Sequence, residues 1–151
     1  GYMDYAHESF TNVKTEIKPL LDEHWKEIAL HQDDIKLEPN WEGYAKLADQ
    51  GALRIYTARE KGALKGYFVV IVMPSLHYSR HLFANNDILF LKKTHRKGTT
   101  GIKLIKYAVE DLKAYGVKLI NINVKKKQDF GVVLEHMEFE HVEDMWQLKV
   151  N

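Results

Sequence analysis

Hydrophobic positions along the chain change period at Ala52. Before it, Ile17, Leu20, Leu21, Trp25, Ile28 and Ala29 recur at three- and four-residue intervals, which predicts a helix over 13–30. Thr11 or Asn12 is a suitable N-cap for it, and Pro19 inside the pattern predicts a kink or a late start. The stretch 2–10 is short and ambiguous, compatible with a first edge strand. A polar connection over 31–39, with Ile35 and Leu37 as its apolar members, leads to Asn40. Asn40 is a good N-cap for a short helix over 41–49, closed by Gly51. From Ala52 onward Leu53, Ile55 and Thr57 alternate with Arg54, Tyr56 and Ala58, the period of a strand. Lys61-Gly62-Ala63 turns the chain into 64–73, a β-branched and aromatic run whose centre is too apolar to face water. The two segments predict a hairpin ended by Pro74.

A polar loop, 75–80, carries His77 and Tyr78. Residues 81–91 read as a third strand, broken at Asn85-Asn86, with Ile88–Leu91 as its buried part. A turn rich in basic residues, Gly and Thr follows. Ile102, Ile105, Val109 and Leu112, flanked by Leu104 and Ala108, then line one side of a helix that Gly116 stops. Residues 117–124 predict another strand and 125–127 a basic loop. Phe130, Val133, Leu134 and Met137 form a helix face. Residues 139–150 read as a last strand with Val142, Asp144, Trp146, Leu148 and Val150 on one side. The order β–α–α–β–β–β–α–β–α–β predicts a mixed α/β (α+β) architecture.

Composition narrows the classes. A length of 151 residues fits a single domain spanning 1–151 with a real core. The net charge of +1 gives no argument for a nucleic-acid or anionic-membrane partner. The absence of cysteine removes disulfides, Cys-zinc sites and thiol catalysis, and is compatible with a cytoplasmic setting. No apolar run approaches the roughly 18 residues of a membrane span. His77 and His81 are four apart without a third ligand at diagnostic spacing, so no metal is expected. P-loop, dinucleotide-fingerprint and nucleophile-elbow motifs do not occur.

The chemistry concentrates between the third strand and the helix that follows. Arg96-Lys97-Gly98-Thr99-Thr100-Gly101 sits where backbone N–H groups converge at the positive end of a helix dipole, a site for phosphate or pyrophosphate; the plain alternative is an ordinary βα turn. This stretch resembles the acetyl-CoA-binding motif of the GNAT (Gcn5-related) N-acetyltransferases, Arg/Gln-x-x-Gly-x-Gly/Ala. Starting the motif at Arg96 puts Thr99 at the first glycine, Gly101 at the second, and Leu104 and Ile105 on the family's Leu-Leu pair. Starting at His95 puts Gly98 on the first glycine but leaves one residue too many before that pair. The element order matches the family along nearly the whole chain. The ending Leu134-Glu-His-Met-Glu138-Phe139 is similar to its closing Tyr-x-x-x-Gly-Phe. Small phage-encoded acetyltransferase-like proteins are similar too, in Ser75-Leu-His-Tyr78 and Asn86-Asp-Ile-Leu-Phe.

The resemblance implies a GNAT fold with a mixed, mostly antiparallel sheet of 6–7 strands and about four helices. It implies transfer of an acetyl group from acetyl-CoA to a primary amine, on a small molecule or a protein, by direct attack in a ternary complex; a homodimer is compatible with it. Acetyl-CoA would be held by Arg96, Lys97, Gly98, Thr99, Thr100 and Gly101. Backbone along Leu89, Phe90 and Leu91 would meet the thioester, and Lys127 the phosphates. A base must free the amine. Asp87 is the first candidate, although the family's usual Glu falls at Asn85, and Asp87 alternatively caps the Asn85-Asn86 break. The family's general acid, a Tyr, falls on Leu134, which donates no proton, and its Gly on Glu138. His77 and Tyr78 are the substitutes, with a solvated loop as the plain reading of His77. The departure at Leu134 keeps a second reading open: a catalytically silent GNAT-like module that binds CoA or a protein, in a phage accessory role.

Overall fold

The computed structural model describes residues 2–126 and 130–151. Its frame is a five-stranded sheet in sequence order: β1 (Met3–Glu8), β2 (Leu53–Glu60), β3 (Ala63–Pro74), β4 (Leu82–Leu91) and β5 (Val117–Asn121). The first three pairings are antiparallel and β4–β5 is parallel. Among the described residues the helices are α1 (Phe10–Ile28), α2 (Trp41–Asp49), α3 (Thr100–Tyr115) and α4 (Gly131–His136), with a 3-10 turn at Lys93–His95.

Each face of the sheet buries its own cluster. Alternate residues of β2 and β3, with Phe90 of β4, meet Phe10, Val13, Ile17, Leu20 and Leu21 of α1; α2 covers the same side. The opposite row, including Tyr56, Phe68, Val70 and Ala84, meets Leu104, Ile105, Ala108 and Leu112 of α3. Strands that feed both faces have no polar alternation, which is why 64–73 reads as a continuous apolar run.

The first helix begins earlier than its periodicity suggests. Ser9, not Thr11 or Asn12, is the N-cap, accepting from the Asn12 N–H at 3.2 Å. Phe10, buried at the start of α1, is the position that the short leading segment hides. The helix runs through Pro19. Asn40 caps α2 as expected, its Oδ1 accepting from Gly43 N–H at 2.8 Å. Arg59 ties the β1 edge down. Its Nε lies 2.9 Å from Glu8 and its terminal nitrogen 2.7 Å from Glu16, so β1, α1 and β2 share one half-buried charge.

Two expectations at the other edge are corrected. β5 stops at Asn121, because the chain there parts from β4. Residues 139–150 form no strand, so among the described residues the sheet has five strands rather than 6–7. Alternation supplies a strand's pleat but not its partner, and Trp146 and Leu148 lie 90% and 82% exposed. Glu138, at the family's glycine position, has φ of 68°, the left-handed conformation that a glycine adopts without strain.

Candidate functional site

The site follows from how β4 ends. Leu82 to Asn85 are flanked by β3 on one side and β5 on the other. Beyond Asn85 the β5 partner is lost while β3 continues to Gly66 opposite Leu91, so the strands open into a V. Asn86 spans the vertex: its Oδ1 accepts from Asn123 N–H at 2.7 Å. Pairing with β3 slips between Val69–Ile88 and Val70–Asn86, leaving Asp87 as the extra residue of a bulge. Bulges re-aim side chains next to such openings.

Asp87 is exposed on the bulge and accepts a 2.5 Å hydrogen bond from Tyr44 Oη of α2. Burial, and then the bond to Asp87, hold the Tyr44 phenol far above its ordinary value, so it stays a donor. Tyr67 is pushed the same way by burial and by the nearby Tyr44 and Asp87; its buried Oη finds no hydrogen-bond partner among the described residues. Sequence reasoning missed both tyrosines. Tyr44 and Asp87 are 43 residues apart, and no periodicity links them.

The turn after β4 is built by Arg96. Its Nε donates to Leu91 O at 2.8 Å, and its guanidinium grips Glu27 of α1 at 2.8 and 3.1 Å. The Arg96 bond draws the Glu27 carboxyl below its usual range. Arg96 therefore anchors the turn. The N-terminus of α3 is open: Thr99 occupies the cap position and makes no side-chain cap bond, so the first N–H groups of the helix are available to an anion. A Cβ added at Gly98 would meet nothing within 4 Å, whereas one at Gly101 would meet Leu91 Cδ1 at 3.0 Å and Phe130 at 3.4 Å. Gly98 thus faces free space and Gly101 lets α3 close onto β4. A concavity of about 370 Å³ adjoins the turn, lined by Met3, Glu60, Thr94, His95, Gly98 and Thr100.

The expected site residues divide sharply. Leu89–Leu91, Lys97–Gly101 and Asp87 share the open end of β4 and the helix start that follows it. His77 and Tyr78 sit in the loop before β4, at its other end. Asp87 is five residues along from Leu82, about 17 Å of strand at ~3.3 Å per residue. Tyr78 stacks on Phe83, which accounts for its position. Leu134 is the buried residue of α4 itself. Lys127 lies outside the described residues. Among the described residues, no group of three or more metal-ligating side chains occurs, and no helix is long and apolar enough to cross a membrane.

An open parallel pair thus leads through a tight turn to an uncapped helix. The chain is similar in structure to an aminoglycoside acetyltransferase from an uncultured soil metagenomic sample, with TM-score 0.77 and 16% identity over 100% of both chains. It is similar to glucosamine-6-phosphate N-acetyltransferase from Arabidopsis thaliana, with TM-score 0.73 and 10% identity over 100% of both. It is also similar to a predicted acetyltransferase of Clostridium acetobutylicum solved with acetyl-CoA, with TM-score 0.68 and 13% identity over 98% of this chain and 96% of that one. No family model matches the sequence, and no curated protein matches it. The fold is therefore the GNAT fold.

Proposed function

We propose that the protein is an acetyl-CoA-dependent N-acetyltransferase acting on a primary amine. The observation that carries this reading is the V between β4 and β5, which runs from the Asp87 bulge to the uncapped start of α3. The residues there fit the co-substrate. The N–H groups at the start of α3 and the free space at Gly98 suit a pyrophosphate, and Lys97 adds charge. When bound, acetyl-CoA supplies an activated acyl group as a thioester. The acceptor nitrogen would form the new C–N bond as the C–S bond breaks with its electron pair on the departing CoA thiolate, and Asp87 would take the proton lost by the amine, directly or through water. Tyr44 holds the Asp87 carboxylate in place. Backbone N–H groups along Leu89–Leu91 stabilise charge on the thioester oxygen.

A second reading, a silent CoA-binding module, is favoured by the buried Leu134 where the family has its acidic Tyr. Thiol release from acetyl-CoA over a panel of aminoglycosides, amino sugars, polyamines and peptides separates the two. The chain has no cysteine, so every thiol detected is released CoA. Amine-dependent release supports the enzyme. Binding without release for any amine supports the silent module.

A further inference from the structure

The crevice beside Asp87 holds a hydroxyl that the fold leaves unused. Tyr67 of β3 faces the α1 and α2 side of the sheet and is 0% exposed. Its ring leans on Phe90, the residue opposite it on β4, with centroids 5.5 Å apart. That contact holds the ring, while the Oη has no hydrogen-bond partner among the described residues. A buried donor left unpaired is costly, so an unpaired one in a native fold calls for an explanation. Its surroundings are polar and acidic. Tyr44 and Asp87 lie near it, and so does Glu23 of α1, an exposed carboxylate. Asp87 Oδ2 is taken by Tyr44, whereas Asp87 Oδ1 and the Glu23 carboxylate accept no hydrogen bond among the described residues. The crevice therefore offers a spare donor and spare acceptors beside the base.

We propose that Tyr67 is a specificity-determining residue whose hydroxyl donates to a hydroxyl oxygen of the acceptor, so that the preferred acceptor is an amino alcohol rather than a plain alkylamine. The proposal rests on the N-acetyltransferase reading for the place of the amine, next to Asp87. The second functional group follows from counting donors and acceptors. Burial and the negative groups nearby keep the phenol protonated, so it is a donor in need of an acceptor. An ammonium has donors only and cannot accept from it. A hydroxyl does both: it accepts from Tyr67 Oη and donates to Glu23 or to Asp87 Oδ1. A carbonyl oxygen would satisfy Tyr67 and leave the carboxylates unmatched. An alkyl chain would leave the phenol unpaired, and a site built to bond a hydroxyl strongly rejects the analogue that lacks it. The way in is from the surface. The Tyr44–Asp87 bond is exposed, no residue of α2 is buried, and a cleft of about 10 Å³ remains between Trp41, Tyr44 and Ile88. α2 is thus the loosely seated wall of the crevice, and a small displacement of it opens Oη to the acceptor.

Binding is the readout, because it does not depend on turnover. The protein is titrated, in the presence of CoA, with trans-2-aminocyclohexanol and with cyclohexylamine. Tryptophan fluorescence reports occupancy, since the Trp41 ring lies 5.8 Å from that of Tyr44. The amino alcohol should bind at least about tenfold more tightly than the alkylamine. Tyr67→Phe should lower its affinity to that of the alkylamine and leave the alkylamine unchanged. The melting temperature of Tyr67→Phe should equal or exceed that of the unmodified protein, because the deleted hydroxyl makes no bond in the ligand-free chain. Equal affinities in the unmodified protein, no binding of either probe, or a preference that survives in Tyr67→Phe overturns the proposal. So does a lower melting temperature of the variant, which would give the hydroxyl a partner within the fold. Those failures leave the N-acetyltransferase reading standing as long as some amine still drives thiol release from acetyl-CoA. A tenfold preference that Tyr67→Phe removes, without release for any amine, would sink that reading and keep Tyr67 as part of a binding site.

Discussion

The two ends of β4 carry similar residue types and differ in what surrounds them. At the start, strands flank Leu82–Asn85 on both sides, and His77 and Tyr78 lie in the loop before it. At the finish, one partner is gone, a bulge turns Asp87 outward, Tyr44 reaches it from α2, and an uncapped helix begins. A His and a Tyr near a strand suggest chemistry by type. An Asp held by a Tyr over an open sheet suggests it by position. Reactivity depends on an opening and on groups that converge on it, and only one end of β4 has both.

The sharpest way to break this contrast is to occupy the turn. Saturating acetyl-CoA, at about a hundredfold over Kd, should stabilise the fold by about 2.7 kcal/mol. That raises the melting temperature by roughly 5–10 °C in a chain of this size. Gly98→Glu should abolish the shift, by setting a carboxylate where the anion goes, and leave the ligand-free melting temperature unchanged, since the added side chain meets open space. Gly101→Glu is the poorer test because it collides with Leu91. An unaltered shift in Gly98→Glu would remove the turn from the site.

Asp87→Asn should keep acetyl-CoA binding and lower turnover at least tenfold, within the roughly 10²–10⁴-fold that a positioned base contributes. The loss should shrink as pH approaches the pKa of the acceptor amine, where the free base forms unaided. Tyr44→Phe should cost severalfold, as the donor that holds Asp87 is lost. Full activity in Asp87→Asn would assign the proton to another group.

A stability measurement probes the same end of β4. His24 of α1 packs on Phe90 with ring centroids 5.1 Å apart, and burial pushes its pKa down to about 4. Above pH 6.5 both folded and unfolded states hold it neutral. As pH falls through 6.5 toward 4 the unfolded chain takes the proton first, so stability is lost on the acid side, by about 3 kcal/mol at pH 4. Urea titrations at pH 7 and pH 5 should show a smaller drop for His24→Gln than for the unmodified chain. Equal drops would mean that the imidazole protonates in place.

The smallest effect is expected at the other end of β4. His77→Ala and Tyr78→Phe should change turnover by less than about twofold, because exposed loop positions away from the site are near neutral. A loss as large as that of Asp87→Asn would erase the difference between the two ends.

Much of this was legible along the chain because it is local. The hairpin 53–74, the Asn40 cap, the Gly116 stop and the helix after the basic turn each depend on neighbours within a few residues. The geometry of the turn was legible for the same reason: strand, Gly and Thr, and helix start are contiguous. Roles that need a distant partner were not legible. Arg96 looks like a phosphate ligand in sequence and is an anchor in space, because Glu27 lies 69 residues away. The stretch 139–150 reads as a strand because alternation is intrinsic, yet it takes no place in the sheet, because pairing is a property of two segments. Periodicity along 151 residues fixed which faces are apolar and where the chain turns. The slip of β4 against β3, the loss of β5 beyond Asn121 and the meeting of Tyr44 with Asp87 were decided only when the sheet and both helical layers closed on one another. Side chains far apart in sequence share a site only after packing has selected one register from many that the local pattern allows.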